Sequence, residues 1–152
     1  MTRTTSKLTG EKVIEAPEVR ILHPDGAITI ELINDSGAAV ARGDLVMLDT
    51  AKGRNYFTTS TGGNDNKIIG MAFERIVDTG RGKIQIYGPT KYLKVDGNTD
   101  IAAGDFIASY TTAGIGQKGT IGSGNCIALA TEAYTANDSL GVIDAFLLGS
   151  AR

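Results

Sequence analysis

The chain of 152 residues has the length of one ordinary domain, and its 41% hydrophobic residues suffice for a core. A formal charge of -2 argues against a nucleic-acid partner, and no apolar run reaches the roughly 20 residues that span a bilayer. One cysteine and one histidine allow no internal disulfide and no structural zinc site, and we expect no cofactor.

Residues 1–17 show almost no apolar periodicity and are rich in threonine. Such a segment cannot bury enough surface to offset its ordering entropy, so we expect an extended N-terminal arm that becomes ordered on a partner. A frayed terminus is the alternative. The basic and apolar residues through which an arm would bind are Arg3, Lys7, Leu8, Lys12, Val13 and Ile14.

From residue 18 to residue 152 we expect a single all-β domain, either a small barrel or a sandwich with long loops. Apolar and polar residues alternate with a period close to two, and turn-forming clusters recur about every 8–12 residues. The polar stretches 49–67 and 111–124 are predicted to be loops, and 128–134 has a weak helical pattern. Strands are predicted at 19–22, 27–33, 45–48, 68–73, 83–88, 92–95, 106–110, 126–130 and 141–148.

One segment of the sequence recurs within the chain. Residues 40–46 and 101–107 share the order apolar, two variable residues, Gly, Asp and two apolar residues, and each is followed by a loop and a second apolar run ending in glutamate. Glycine allows a positive φ and aspartate bonds its own backbone, so we predict structural turns at Gly43, Asp44, Gly104 and Asp105. A duplicated β unit is the simplest explanation, and chance similarity of two turns is the alternative.

The Gly-Asp turns occur in a fixed order with Ile-Ile-Gly-Met-Ala at 68–72 and Gly-Lys-Ile-Gln-Ile-Tyr at 82–87. This order, over residues 28–148, resembles tailed-phage capsid decoration (cement) proteins of the lambda head-decoration type. The resemblance implies a β-tulip or β-clip fold and a homotrimer. It further implies a place on the outer capsid surface of the virion, where trimers bridge major capsid protein subunits and an N-terminal arm contacts them.

Localisation follows partly from the resemblance and partly from the N-terminus. Residues 1–10 lack the apolar region of a secretory signal, so we expect synthesis in the host cytoplasm before assembly on the virion.

Three short motifs suggest ligands, and each has a simpler interpretation as a turn or loop. Residues 114–119 spell the dinucleotide pattern G-x-G-x-x-G, but the Thr- and Gly-rich sequence after it cannot begin a helix, which favours a flexible loop. Residues 96–100 place oxygen-bearing side chains at alternate positions but lack the glycine and the bidentate acid of a calcium loop, which favours a hairpin turn. The Arg-Gly-Asp tripeptide at 42–44 lies in a predicted turn.

Few residues could support catalysis, and we expect no enzyme. His23 is the only imidazole, and it precedes a Pro-Asp-Gly turn, which favours a solvated turn residue over a general base. Cys126 lies in an apolar strand as a small buried hydrophobe. The carboxylates of Glu74, Asp78 and Glu132 could pair, but nothing in the sequence brings them together.

Two other functions remain open. A receptor- or glycan-binding head domain of a phage fibre or spike would need aromatic residues clustered on loops, for which Tyr56, Phe57 and Tyr134 are the candidates. A small β-barrel enzyme is the other, and it would depend on His23.

Overall fold

The computed structural model describes residues 20–63, 67–120 and 126–149, and within these ranges all regular structure is β-strand. The predicted all-β fold is therefore confirmed. No helix in the described ranges is long and apolar enough to cross a membrane. The strands are β1 (Arg20–Leu22), β2 (Ile28–Asn34), β3 (Leu45–Leu48), β4 (Tyr56–Thr59), β5 (Ile68–Ala72), β6 (Arg81–Val95), β7 (Phe106–Ser109), β8 (Gly116–Lys118), β9 (Cys126–Ala130) and β10 (Gly141–Leu148).

The pairings close two rings of five strands, and both rings contain β6. We call the ring β2-β4-β3-β5-β6 the first barrel and the ring β6-β10-β9-β7-β8 the second barrel. Each barrel has one parallel pair, β2 with β4 in the first and β6 with β8 in the second, and all other pairs are antiparallel. β1 adds to the edge of β2 outside the first ring. The two barrels thus have the same connectivity.

Contacts between strands also recur at equivalent positions in the two barrels. They are the N–H···O=C bonds Gly43 to Ala72 and Gly104 to Ala130 (both 2.8 Å), and the isolated bridges Val40 with Ile76 and Ile101 with Tyr134. This topological repeat coincides with the sequence repeat at 40–46 and 101–107. Duplication of one β unit remains our interpretation of the coincidence.

β6 is one strand of 15 residues, where the sequence predicted two separate strands. Gly88, with a φ of 97°, bends the strand without ending it, because β10 pairs across the bend with both Tyr87 and Gly88. The amide of Gln85 is buried against the bend, with Nε2 at 2.9–3.2 Å from the carbonyl oxygens of residues 87, 88 and 89. Two N–H hydrogens facing three acceptors hold the bend in place.

Three other sequence predictions are wrong. β4 and β8 lie in the stretches predicted to be loops, and they form because each is paired on both sides by neighbouring strands. The sequences Tyr-Phe-Thr-Thr of β4 and Gly-Gln-Lys of β8 form no apolar run, unlike the equally short β1 and β3, so neither was recognised as a strand. The G-x-G-x-x-G stretch at 114–119 contains β8 and is therefore no flexible loop. The weak helical pattern at 128–134 is contradicted by β9, which ends at Ala130.

Two apolar cores fill the fold. The first-barrel core contains Phe57 and Ile84, and the second-barrel core contains Leu93 and Ile143. Leu45, Ile68 and Met71 lie on strands β3 and β5 of the first barrel but pack into the second-barrel core. Both faces of β3 and β5 are therefore covered, which explains why these strands are continuous apolar runs in the sequence.

Candidate functional site

The turn at Gly43 and Asp44 joins the first barrel to the second. Gly43 has a φ of 91°, and the Asp44 carboxylate accepts the N–H of Ala41 at 2.8 Å. The other Asp44 oxygen lies 2.8 Å from Nζ of Lys94, on the second half of β6. The guanidinium of Arg42 lies over the ring of Tyr92, with its central carbon 3.7 Å from the centroid. The side chains of Arg42 and Asp44 therefore both contact the half of β6 that belongs to the second barrel.

The equivalent turn at Gly104 and Asp105 lies on the surface. Gly104 has a φ of 95°, and Asp105 accepts the N–H of Ala102 at 2.8 Å and lies 2.9 Å from Nζ of Lys118. The bond from Ala102, followed by that from Lys118, lowers the pKa of the Asp105 carboxyl below its ordinary value. No atom lies within 4 Å of the position of a Cβ on Gly104. The space beside the turn glycine is thus filled by a protein neighbour at Gly43 and open at Gly104.

The predicted arm lies outside the residues that the structure describes. This applies to all six of its named residues, Arg3, Lys7, Leu8, Lys12, Val13 and Ile14. The described chain begins with β1, which pairs only with β2 and leaves its other edge unpaired by any described strand. Leu22 on this edge strand is 72% exposed, the largest value among the exposed large hydrophobic residues of the described ranges.

The candidate catalytic groups make structural contacts. His23 is half-buried, stacks on Phe73 at a centroid distance of 4.9 Å and bonds Thr29 at 3.0 Å, so it is not the solvated turn residue that the sequence indicated. Glu74 and Glu132 accept the backbone N–H groups of Lys83 and Asp144, at equivalent places in the two barrels. In the described ranges no three histidine, cysteine, aspartate or glutamate side chains converge as a metal site.

The aromatic residues proposed for a receptor site do not form a cluster on loops. Phe57 is fully buried in the first-barrel core. Tyr134 packs against the second-barrel core, and its hydroxyl bonds Asp138 at 2.9 Å. Tyr56 is half-buried on β4, beneath the ammonium of Lys52 at 5.2 Å from the ring centroid.

At least three clefts of similar size open on the described surface, and the sequence predicted none of them as a site. One, of about 430 Å³, lies at the bend of β6 between the barrels, and Phe73, Thr90 and Tyr92 are among its lining residues. A second, of about 390 Å³, belongs to the second barrel and has a mainly polar lining, and the third, of about 380 Å³, adjoins it. The second cleft contains Asp96 and Tyr110, which lie 14 positions apart in the chain and are brought together because β8 pairs with both β6 and β7.

The fold has a counterpart among solved structures. The chain is similar to the crystal structure of the head fiber gp8.5 N base in bacteriophage phi29, with a TM-score of 0.55 and 12% sequence identity. The match covers 82% of this chain and 98% of that chain. No protein-family model matches the sequence, and no curated protein matches it. At this identity the likeness establishes the fold.

The two turns allow a matched stability test. Alanine at Gly104 meets only the strain of a positive φ, and we expect a loss of about 1–2 kcal/mol in the free energy of unfolding. Alanine at Gly43 has the same strain and in addition overlaps the carbonyl oxygen of Tyr92, so we expect a loss about 1–3 kcal/mol larger. Urea denaturation of both variants measures the difference, and equal losses would contradict the joining role of the first turn.

The Asp105 turn predicts a dependence of stability on pH. The folded state lowers the pKa of this carboxyl, so its stabilisation is present above the unfolded value near 3.9 and is lost as pH falls through the folded value. We expect Asp105→Asn to be less stable than the wild type at pH 7, with the difference shrinking below about pH 4. Asp100→Asn, at an exposed position, is the control and should match the wild type throughout. A difference that is independent of pH would refute this assignment.

Proposed function

We propose that this chain is a structural protein of a phage virion, without enzymatic activity, that binds the outer surface of the capsid as a trimer. In this role it stabilises the shell by bridging major capsid protein subunits. The observation that supports the proposal most is the fold, which is shared with the base of a phage head fiber over nearly all of that domain. The sequence resemblance to capsid decoration proteins points to the same class of protein through different features.

The edge of β1 is the described surface that fits shell binding best. The N–H and C=O groups along this edge, which no described strand pairs, can bond a strand of a capsid subunit by β-augmentation. The exposed side chain of Leu22 offers an apolar anchor on this edge. The proposed arm, residues 1–17, precedes β1 directly in the chain, so arm and edge can engage the same capsid region.

Shell stabilisation then follows from mass action. A protein that binds the assembled shell, and not its separated subunits, lowers the free energy of the shell by its binding free energy. A trimer presents three arms and three β1 edges at once, so weak individual contacts combine into strong attachment.

Deletion of residues 1–17 tests the arm. We expect the shortened chain to keep its β-sheet circular dichroism and to lose at least about tenfold in affinity for expanded shells of its own phage, since every trimer loses three contacts. Co-sedimentation with shells that lack this protein measures the affinity, and light scattering in solution reports the trimer.

Point variants of the full chain test the edge. Leu22→Ser should weaken co-sedimentation, and Leu140→Ser, which alters a residue 53% exposed at another place, should leave it unchanged. Wild-type affinity in both the deletion and Leu22→Ser would exclude the proposed contact. If the protein binds shells with the expected affinity but is a monomer in solution, only the trimer is excluded and the contact with the shell stands.

A receptor- or glycan-binding domain of a fibre or spike is the second candidate, favoured by the fact that the structural neighbour is part of a head fiber. This function predicts binding to a cell-surface receptor or glycan without affinity for shells. The co-sedimentation experiment therefore separates the two candidates.

A further inference from the structure

The polar cleft of the second barrel has the features of a ligand site. Its volume of about 390 Å³ is within the range of small-molecule sites, about 300–1,000 Å³. We call it the Asp96 cleft. The described residues that line it are Asp96, Asn98, Thr99, Tyr110, Gln117, Lys118, Gly119 and Thr120.

Asp96 is a buried carboxylate whose hydrogen bonding is incomplete. The residue is only 7% exposed. One carboxylate oxygen accepts the side-chain amide of Asn98 at 2.8 Å, and the other accepts no hydrogen bond from any residue of the described ranges. A carboxylate removed from water without partners costs free energy unless another group compensates its charge and lone pairs. The open oxygen is therefore a position at which a hydrogen-bond donor from outside the described residues would be stabilised.

The first barrel shows how the same position is satisfied internally. Asp35 directly follows β2 and donates its N–H to Phe57 at 2.8 Å, as Asp96 directly follows β6 and donates its N–H to Gly116 at 2.7 Å. The carboxylate of Asp35 is half-buried and pairs with Nζ of Lys52 at 3.1 Å. Asp96 is more deeply buried and has no ion pair among the described residues.

Lys118 is the one cation among the described lining residues, and it already forms an ion pair. Lys118 lies 2.9 Å from Asp105, the carboxylate of the adjacent turn, and Gln117 donates its amide to the carbonyl of Ser109 at 3.1 Å. The lining groups that keep hydrogen-bonding capacity are the open oxygen of Asp96, the side-chain amides of Asn98 and Gln117, and the hydroxyl groups of Thr99 and Tyr110. Each amide keeps its oxygen and one N–H, so the cleft offers acceptors and donors beside one aromatic ring.

We propose that the Asp96 cleft binds a hexose unit of a saccharide, whose hydroxyl groups donate to Asp96 and the neighbouring amide oxygens while a sugar face packs on Tyr110. Sugars present several neutral hydroxyl donors beside apolar C–H faces, which matches a lone carboxylate with amides and a tyrosine ring. A calcium ion needs six to eight oxygen ligands, and this cleft supplies a single carboxylate. The proposed site is independent of shell binding. It lies in the second barrel, whereas β1 lies at the edge of the first barrel.

Saturation-transfer NMR with methyl α-glucoside, methyl β-galactoside and N-acetylglucosamine tests the proposal on the full chain. We expect transfer from the protein to at least one of these sugars, and a loss of about tenfold or more in affinity for Asp96→Asn, which keeps the shape of the side chain and removes its charge. Tyr110→Ala should reduce transfer to the C–H face of the same sugar. Asp35→Asn, the equivalent change in the first barrel, should bind the sugar as the wild type does.

Each alternative outcome decides against the site. Absence of transfer from all three sugars, or unchanged affinity in Asp96→Asn, would overturn the proposal. Calorimetric titration with calcium chloride alone tests for a cation as the ligand. Tight calcium binding that is lost in Asp96→Asn would assign the cleft to a cation and overturn the sugar site. Circular dichroism of each variant confirms that loss of binding is not loss of fold.

Discussion

One strand, β6, belongs to both barrels, and the remainder of the structure depends on it. Its first half closes the first barrel against β2, and its second half pairs with β10 in the second barrel. The bend at Gly88 lets one strand serve two rings, and the buried amide of Gln85 holds that bend. Neither ring can lose β6 without opening, so the two barrels are expected to behave as one cooperative unit.

The repeated connectivity also shows where the two barrels differ. At the first Gly-Asp turn a Cβ on Gly43 would meet the carbonyl oxygen of Tyr92, whereas a Cβ on Gly104 would point into open space. Each barrel also has an aspartate directly after its first strand, and Asp35 pairs with Lys52, whereas Asp96 lies buried beside a cleft. At both positions the second barrel leaves open what the first barrel fills within the described chain, so the surface of the second barrel is the better place for an external partner.

The sequence was sufficient for the strands whose residues alternate or form an apolar run, and for the two turns. Alternation of apolar and polar residues indicates which side chains face a core, and a Gly-Asp pair indicates a turn conformation of the local backbone. β4 and β8 were not predictable because their stability comes from strands on either side and not from their own residues. The continuity of β6 through Gly88 depends on β10, nearly 60 positions later in the chain.

The candidate site was less predictable than the fold. Asp96 and Asn98 stood out only as an incomplete calcium motif, and Tyr110 did not stand out at all. Their assembly depends on the pairing of β8 with both β6 and β7, and the burial of Asp96 depends on segments distant in the sequence. Conversely, Phe57 was a candidate for surface recognition and proved to be core, because β4 is a strand inside the first barrel.

Native-state hydrogen exchange of β6 tests the shared-strand account most directly. If both barrels depend on β6, amides in both halves of the strand, residues 81–87 and 89–95, exchange with the same free energy of opening, equal to that of global unfolding. A free energy of opening that is lower in one half than in the other by more than about 2 kcal/mol would contradict the shared role of β6. In that case the barrels would open separately, and β6 would link two independent units.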